Sequence, residues 1–287
     1  MRILVAGAAG QLGATMLESL AGRHDVIATT LRELDIRDHR AVTAAVREAR
    51  PAAVINCTAF TDVDRAEDEP VEALDVNAFG VRALALAARD AGAAFVHFST
   101  DFVFDGAGTR PYTEDDLPNP RSAYACSKLI GEWFARDAGR HYVLRVESLF
   151  GAPTAPGAPR RSSVDVIVDS ILAGREARVF VDRTVSPSYT RDVAAATALL
   201  IEREAPSGLY HCVNSGHCTW HELGLEVGRQ VGVEARLAPV RMADVKLRAA
   251  RPIYCALDNR KLAQAGMPMP TWQDALARHL SERTKRP

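Results

Sequence analysis

The sequence predicts an α/β chain, a doubly wound parallel sheet followed by a smaller second domain, and three features carry that reading. Short apolar runs of the fully buried kind recur at residues 2–6, 26–30, 54–57, 95–98 and 142–150. Helical patterns at 14–20, 38–49 and 71–90 fill the intervals at βαβ spacing. After residue 151 the texture changes, with residues 152–159 rich in proline, alanine and glycine. The boundary there divides the chain into residues 1–150 and 151–287, and one later strand and helix are free to return to the first sheet. At 287 residues and 47% hydrophobic, the chain has material for a large core.

Composition narrows the function classes. The formal net charge is -1, with both signs interspersed and no basic stripe or tail, so nucleic acid is not an expected partner. Five cysteines, an odd number without a Cys-x-x-Cys pair, give no disulfide framework. No cleavable leader pattern and no apolar stretch of membrane-spanning length is present, so the expectation is a cytoplasmic protein without a membrane partner.

The first strand ends on a glycine-rich turn, Gly7-Ala8-Ala9-Gly10-Gln11-Leu12-Gly13, and a helical pattern follows. Strand, glycine turn and helix form the context of a dinucleotide fingerprint, which makes the sheet Rossmann-type. Gly7 serves the tight turn, Gly10 the approach of backbone to a pyrophosphate, and Gly13 the packing of helix on strand. The helix then presents its positive dipole end to the phosphates. At the end of the second strand, Thr30 stands where an NAD-binding fold often carries an acid, and Arg32 lies just beyond. An arginine there accommodates a 2′-phosphate, so the reading leans to NADPH, with NADH left open. Asp35 serves either the adenine amino group or the start of the helix over 38–49.

The third strand leads into Thr58-Ala59-Phe60-Thr61, which the topology places at the ligand-binding carboxyl edge of the sheet. The acids after it, Asp62, Asp64, Glu67, Asp68 and Glu69, read as helix-start and solvated residues, without the spacing of a metal loop. The fourth strand ends on Ser99-Thr100-Asp101. A loop over 105–120, rich in Gly, Pro, Asp and Thr, is long enough to suggest function. Then come Tyr124 and Lys128, one turn apart on one helix face. A nearby ammonium favours the phenolate, so Lys128 is expected to lower the pKa of Tyr124 towards that of a working proton donor. The Thr100 hydroxyl could polarise a carbonyl oxygen. Further on, residues 179–181 and 209–213 read as strands with a helix over 191–203 between them. His211 and Cys212 point to opposite strand faces, Thr219 is the N-cap of the next helix, and the His211, Cys212, His217, Cys218, His221 run is read as no metal site.

Together these residues resemble an extended short-chain dehydrogenase/reductase: Gly7, Gly10 and Gly13 in a Gly-x-x-Gly-x-x-Gly, with Tyr124-x-x-x-Lys128. The stretches 56–67 and 98–104, Ser186-Pro187-Ser188, and Gly208-Leu-Tyr-His211 followed by Thr219-Trp220 narrow the resemblance to the dTDP-4-dehydrorhamnose reductase family. It covers nearly the whole chain and is most specific in the first 130 residues. The resemblance implies NADPH-dependent reduction of the 4-keto group of a nucleotide-activated 6-deoxy sugar, dTDP-4-dehydro-L-rhamnose to dTDP-L-rhamnose. It implies Tyr124 as general acid, Lys128 as its partner and ribose anchor, Thr100 on the sugar carbonyl and Asp101 beside the substrate. Gln11, Leu12, Gly13, Asp35, Ile36, Thr58, Ala59 and Phe60 match cofactor-contacting positions. Arg160, Arg161 and Arg183 are candidates for the nucleotide diphosphate of a dTDP-linked sugar, and a homodimer is a partner to consider.

Two stretches depart from the family pattern. After Arg145 the family commonly reads Thr-Ser-Trp, and this chain has Val146-Glu147-Ser148. The family's Arg-Pro-x-Asn-Ser is here Arg251-Pro252-Ile253-Tyr254-Cys255. Both changes fall on the substrate side. They keep two alternatives in view: another ketosugar reductase or epimerase on the same scaffold, and a cofactor-binding regulatory subunit without turnover, like the β subunit that accompanies methionine adenosyltransferase.

Overall fold

The computed structural model describes residues 1–151 and 162–284. Its strands are β1 (Arg2–Ala6), β2 (Asp25–Thr29), β3 (Ala53–Asn56), β4 (Ala94–Thr100), β5 (His141–Val146), β6 (Leu149–Phe150), β7 (Ala177–Phe180), β8 (Thr184–Val185), β9 (Ser188–Tyr189), β10 (Gly208–His211), β11 (Cys218–Thr219) and β12 (Leu237–Val240). The helices are α1 (Gln11–Leu20), α2 (His39–Ala49), α3 (Arg65–Asp68), α4 (Pro70–Leu74), α5 (Val81–Asp90), α6 (Ala123–Ala135), α7 (Ser163–Leu172), α8 (Thr190–Glu202), α9 (Trp220–Val231), α10 (Arg260–Gln264) and α11 (Trp272–Thr284).

Six strands form one sheet in the order β10-β5-β4-β3-β1-β2, every pairing parallel. The strand order reverses between β1 and β3, and such a switch point opens a ligand crevice at the carboxyl ends of the strands. Side chains alternate across the sheet. Ile3, Val5, Ile55, Val96 and Leu144 pack with α1 and α8 on one face. Leu4, Ala6, Val54, Phe95 and Val143 pack with α2 and α5 on the other. With both faces covered, all seven residues of β4 are buried. A third cluster joins β7, α7, α9 and α11 around Trp220 and Trp272. Strand β10 lies in the main sheet beside β5, and α8 packs on α1.

Three boundaries differ from the sequence reading, each for a local reason. The apolar run 142–150 is two strands. Ser148 adopts a left-handed backbone, φ 45°, which turns the chain out of β5 so that β6 pairs with β9. The helix over 71–90 contains a π turn, Asp75–Gly80, between α4 and α5. Asn77 on that turn accepts from the Phe60 N–H at 2.9 Å and donates to the Phe60 carbonyl and the Ser127 hydroxyl, each at 3.0 Å. Gly131 makes the crossing possible, because a Cβ there would stand 2.1 Å from the Asn77 carbonyl oxygen. Helix α2 is capped by Asp38, whose Oδ1 accepts from the N–H groups of Arg40 and Ala41, so Asp35 does not start it.

One buried ion pair ties α6 to the sheet. Arg145 on β5 donates to both Glu132 oxygens at 2.8 Å, and both side chains are 2% exposed. Ser99 of β4 donates to the same carboxylate at 2.6 Å, and the guanidinium lies 4.8 Å over the Phe104 ring. Removing one partner of such a pair leaves a buried charge uncompensated. Glu132→Ala is therefore expected to lose about 3–5 kcal/mol of unfolding free energy in a urea titration. Replacing both partners by apolar residues should recover part of that loss.

Candidate active site

Thr100 is the last residue of β4, at the carboxyl edge of the sheet. Its hydroxyl accepts from the Phe102 N–H at 3.2 Å and donates to Asp101 Oδ1 at 2.9 Å. Ser122 caps α6 by accepting from the Ala125 N–H, which sets Tyr124 on the first turn and Lys128 on the next. The half-buried Tyr124 ring meets Phe102 edge-on, centroids 5.7 Å apart. The buried Lys128 ammonium donates to the Phe98 carbonyl at 2.6 Å.

This geometry corrects the expected electrostatics. Lys128 does not draw the Tyr124 pKa down. Burial, and after it the Asp101 charge, push the phenol above its ordinary range, while hydrogen bonding to Thr100 opposes the rise. Lys128 itself is pushed down to about 8 by burial, with the Glu132 carboxylate pulling the other way. The tyrosine is thus held as a protonated donor.

The glycine turn follows β1, which β3 separates from β4. Gly7 has φ +82°, and a Cβ on it would come within 2.8 Å of the Cys57–Thr58 peptide. A Cβ on Gly13 would stand 2.2 Å from the Gly7 carbonyl oxygen, so only glycine lets α1 dock there. A Cβ on Gly10 would stand 3.3 Å from the same Gly7 carbonyl oxygen, a tight approach that glycine relieves. The N-cap of α1 is Gly10, which has no side chain to cap it, so among the described residues its first-turn N–H groups stay available for an anion. Gln11 begins the helix, with Nε2 3.5 Å from the Leu149 carbonyl, and Leu12 is buried. Turn and helix start both fit the pyrophosphate of a dinucleotide.

Other expected residues divide by position. Arg32 is exposed in the turn after β2. Glu33, which the sequence reading passed over, accepts from the Thr30 N–H at 2.7 Å, so an acid does stand near that strand end. Asp35 is engaged by Arg37, Oδ2 to Nη2 2.6 Å, and Ile36 is a core residue. Thr58 donates its N–H and hydroxyl to Asn56 Oδ1 at 3.0 and 2.6 Å, which shapes the loop through Ala59 and Phe60. Arg160 and Arg161 lie outside the described residues.

Two groupings were not legible. Asp64 and Asp68, read as solvated, hold the segment before Cys255: Arg251 donates to both Asp64 oxygens at 2.9 and 2.8 Å, and Arg248 to Asp68 at 2.6 Å. Arg251 draws Asp64 down to about 2. The second grouping brings together Asp101, Glu147 and Cys255, all buried, with a donor atom of each within 4.8 Å of the others. No metal site was expected, and the sequence run inspected for one leads elsewhere: His211 packs against Phe104 and the Asp258 carbonyl, with Cys212 in the core on the opposite face. Arg183 joins the grouping, with Nη2 3.9 Å from Cys255 Sγ and its guanidinium 5.4 Å over Phe102. It is placed beside Asp101. The signal in the sequence was the pair of departures at Glu147 and Cys255, which carry no hint of their meeting.

The family model described as "RmlD substrate binding domain" matches residues 1–285. The spore coat polysaccharide biosynthesis protein SpsK of Bacillus subtilis is 35% identical, over 99% of this chain and 98% of its own length. A dTDP-4-dehydrorhamnose reductase of Streptomyces griseus is 38% identical, over 96% of this chain and 91% of its own. The crystal structure of the dTDP-4-dehydrorhamnose reductase of Bacillus anthracis in complex with NADP superposes with a TM-score of 0.90 at 31% identity, covering 98% of this chain and 99% of that one.

The Lys128 environment gives a measurable pH dependence. Its pKa is lowered on folding, so the unfolded chain binds the extra proton and stability should rise with pH from about 8 towards the ordinary lysine value. In Lys128→Met that rise should be missing, as read from urea midpoints across the alkaline range.

Proposed function

The chain belongs to the RmlD substrate binding domain family, and from that premise we propose that it is an NADPH-dependent oxidoreductase. It reduces the 4-keto group of a dTDP-linked 6-deoxy sugar, dTDP-4-dehydro-L-rhamnose to dTDP-L-rhamnose. The observation that carries this reading is the placing of Thr100, Tyr124 and Lys128 at the carboxyl edge, beside the uncapped start of α1.

When bound, NADPH supplies a hydride. The chain's own residues do the rest. First-turn N–H groups of α1 hold the pyrophosphate between Gly7, Gly10 and Gly13, with Gln11 and Leu12 at the helix start and Thr58, Ala59 and Phe60 along the neighbouring loop. Arg32 takes the 2′-phosphate. Asp35 and Ile36 lie near the adenine. Thr100 orients the sugar carbonyl, and Tyr124 protonates the oxygen as negative charge develops on it. Lys128, fixed on the Phe98 carbonyl, anchors the ribose and supplies positive charge below α6. Residues 151–287, apart from β10 and α8, form the substrate side, with Asp101 and Arg183 reaching it. Among the described residues no helix is long and apolar enough to cross a membrane, and a cytoplasmic location goes with a diffusible nucleotide sugar.

A second reading keeps the chemistry and changes the sugar. Ser148 stands where the family pattern has a tryptophan, and buried Glu147 and Cys255 replace small hydroxyl residues. These favour a different dTDP-4-ketosugar. Intact Thr100, Tyr124 and Lys128 speak against a regulatory subunit without turnover.

Mixing the protein with NADPH and dTDP-4-keto-6-deoxyglucose, with and without a 3,5-epimerase, should consume NADPH only when the epimerase is present. Consumption without it selects the second reading, and none in either mixture ends the rhamnose reading. Tyr124→Phe should bind NADPH normally and turn over about 10²-fold or more slowly. Arg32→Ala should weaken NADPH binding while leaving NADH binding within a factor of two, by fluorescence titration.

A further inference from the structure

Behind Thr100 lies a set of titratable groups whose protonation the chemistry above leaves unassigned. Glu147 follows β5 directly, and its Oε2 accepts from the Ser186 N–H at 2.7 Å. Among the described residues its Oε1 has no hydrogen-bond partner, and Asp101 Oδ2 has none but the Cys255 thiol beside it. The two side chains are 2% and 3% exposed, and Cys255 is fully buried between them and Arg183. Two carboxylates this close, away from water, do not both rest in the charged form. Arg183 faces them without ion-pair contact to either among the described residues, and its Nε is also unpartnered. One guanidinium charge balances one carboxylate, so the other must hold a proton. Burial raises both acids, the Asp101 charge raises Glu147 further, and Arg183 opposes the rise in each; burial raises the Cys255 thiol as well. The groups facing the pair are therefore Arg183 from the turn before β8, Cys255 from the loop before α10 and Tyr124 from α6. Tyr254 and Cys218 feel Glu147 from further off.

Asp101 is also joined to the reacting centre. Its Oδ1 accepts from Thr100, whose hydroxyl faces the Tyr124 phenol. We propose that Asp101 and Glu147 share one proton beside Cys255, and that this proton restores the Tyr124 phenol through Thr100 after each turnover. The reading rests on Tyr124 being the proton donor. The phenol gives its proton to the alkoxide and is left as phenolate. The Thr100 hydroxyl turns its proton to the phenolate, and the Asp101 carboxyl, turning its protonated oxygen towards Thr100, replaces it. Asp101 and Glu147 are then both ionised until product leaves and solvent returns one proton. Only O–H bonds break and form, and no electrons change owner beyond the hydride already transferred. Glu147 thereby acts through Asp101, as a positioning residue for the proton.

Glu147→Gln keeps an acceptor for Ser186 and removes the shared proton. At neutral pH the wild-type protein should show the infrared band of a protonated carboxyl, and the variant should lack it. A raised carboxyl pKa contributes stability below its unfolded value and loses it as pH rises through the folded value. The melting temperature of Glu147→Gln should therefore gain on wild type as pH rises above the carboxylate range. In turnover, kcat should fall about tenfold with KM unchanged, while the single-turnover rate of NADPH oxidation stays within twofold. Glu147→Asp should recover most of the loss. Absence of the band in wild type overturns the shared proton, as does equimolar zinc in the purified protein, since a cation would then replace it. Equal losses in single and multiple turnover overturn the relay. A wild type with the band but no NADPH oxidation overturns the functional reading and the relay, and leaves the shared proton standing.

Discussion

The Glu132–Arg145 ion pair fixes most of what surrounds the site. Arg145 projects from β5, Glu132 from the third turn of α6, and Ser99 from β4 closes the same carboxylate. The helix that carries Tyr124 and Lys128 is thereby pinned to the two strands whose ends form the carboxyl edge. The desolvation of two buried charges is offset only because the contact is bidentate and further hydrogen-bonded. The pair also sets its neighbours. His211 is kept neutral, pushed down to about 3 by burial and then by the guanidinium beside it. Glu132 keeps Lys128 from losing its charge more easily still.

Close approach of backbones is the second constraint. Gly13 against Gly7 brings α1 onto β1, and Gly131 against Asn77 brings α6 onto the π turn. Asn77 then holds Phe60 and Ser127, so the loop after β3 and the middle of α6 share one anchor. On the far side of the crevice, Asp64 and Asp68 grip Arg251 and Arg248. Through them the segment leading to Tyr254 and Cys255 is tied to the sheet half of the molecule.

The sequence was informative where one residue type answers one local need. Gly7, Gly10 and Gly13 follow an apolar strand, and no other residue meets the φ of the first or the contact of the third. Tyr124 and Lys128 were readable because helical spacing puts them on one face. Their electrostatics were not, since spacing fixes neither where an ammonium points nor how deeply a phenol is buried. Lys128 turns to the Phe98 carbonyl, and Asp101, adjacent in sequence to Thr100, acts on Tyr124 instead. Asp35 was a candidate for the helix start, and the turn geometry gives that place to Asp38. Glu132 with Arg145, Asp64 with Arg251, and Glu147 with Cys255 pair residues far apart in the chain. Such partners become visible only when strand order and loop closure bring them together.

The edge position of β10 bears on how the chain is made. Strand β5 ends at Val146, but its outer neighbour is residues 208–211, about sixty residues later. During synthesis β5 therefore waits with one row of N–H and C=O groups unpaired, while α7, β7 and α8 are still being translated. An apolar strand with a bare edge is a template for pairing with another chain. The nascent protein is thus most open to misassembly after its five-stranded half has collapsed and before His211 has left the ribosome.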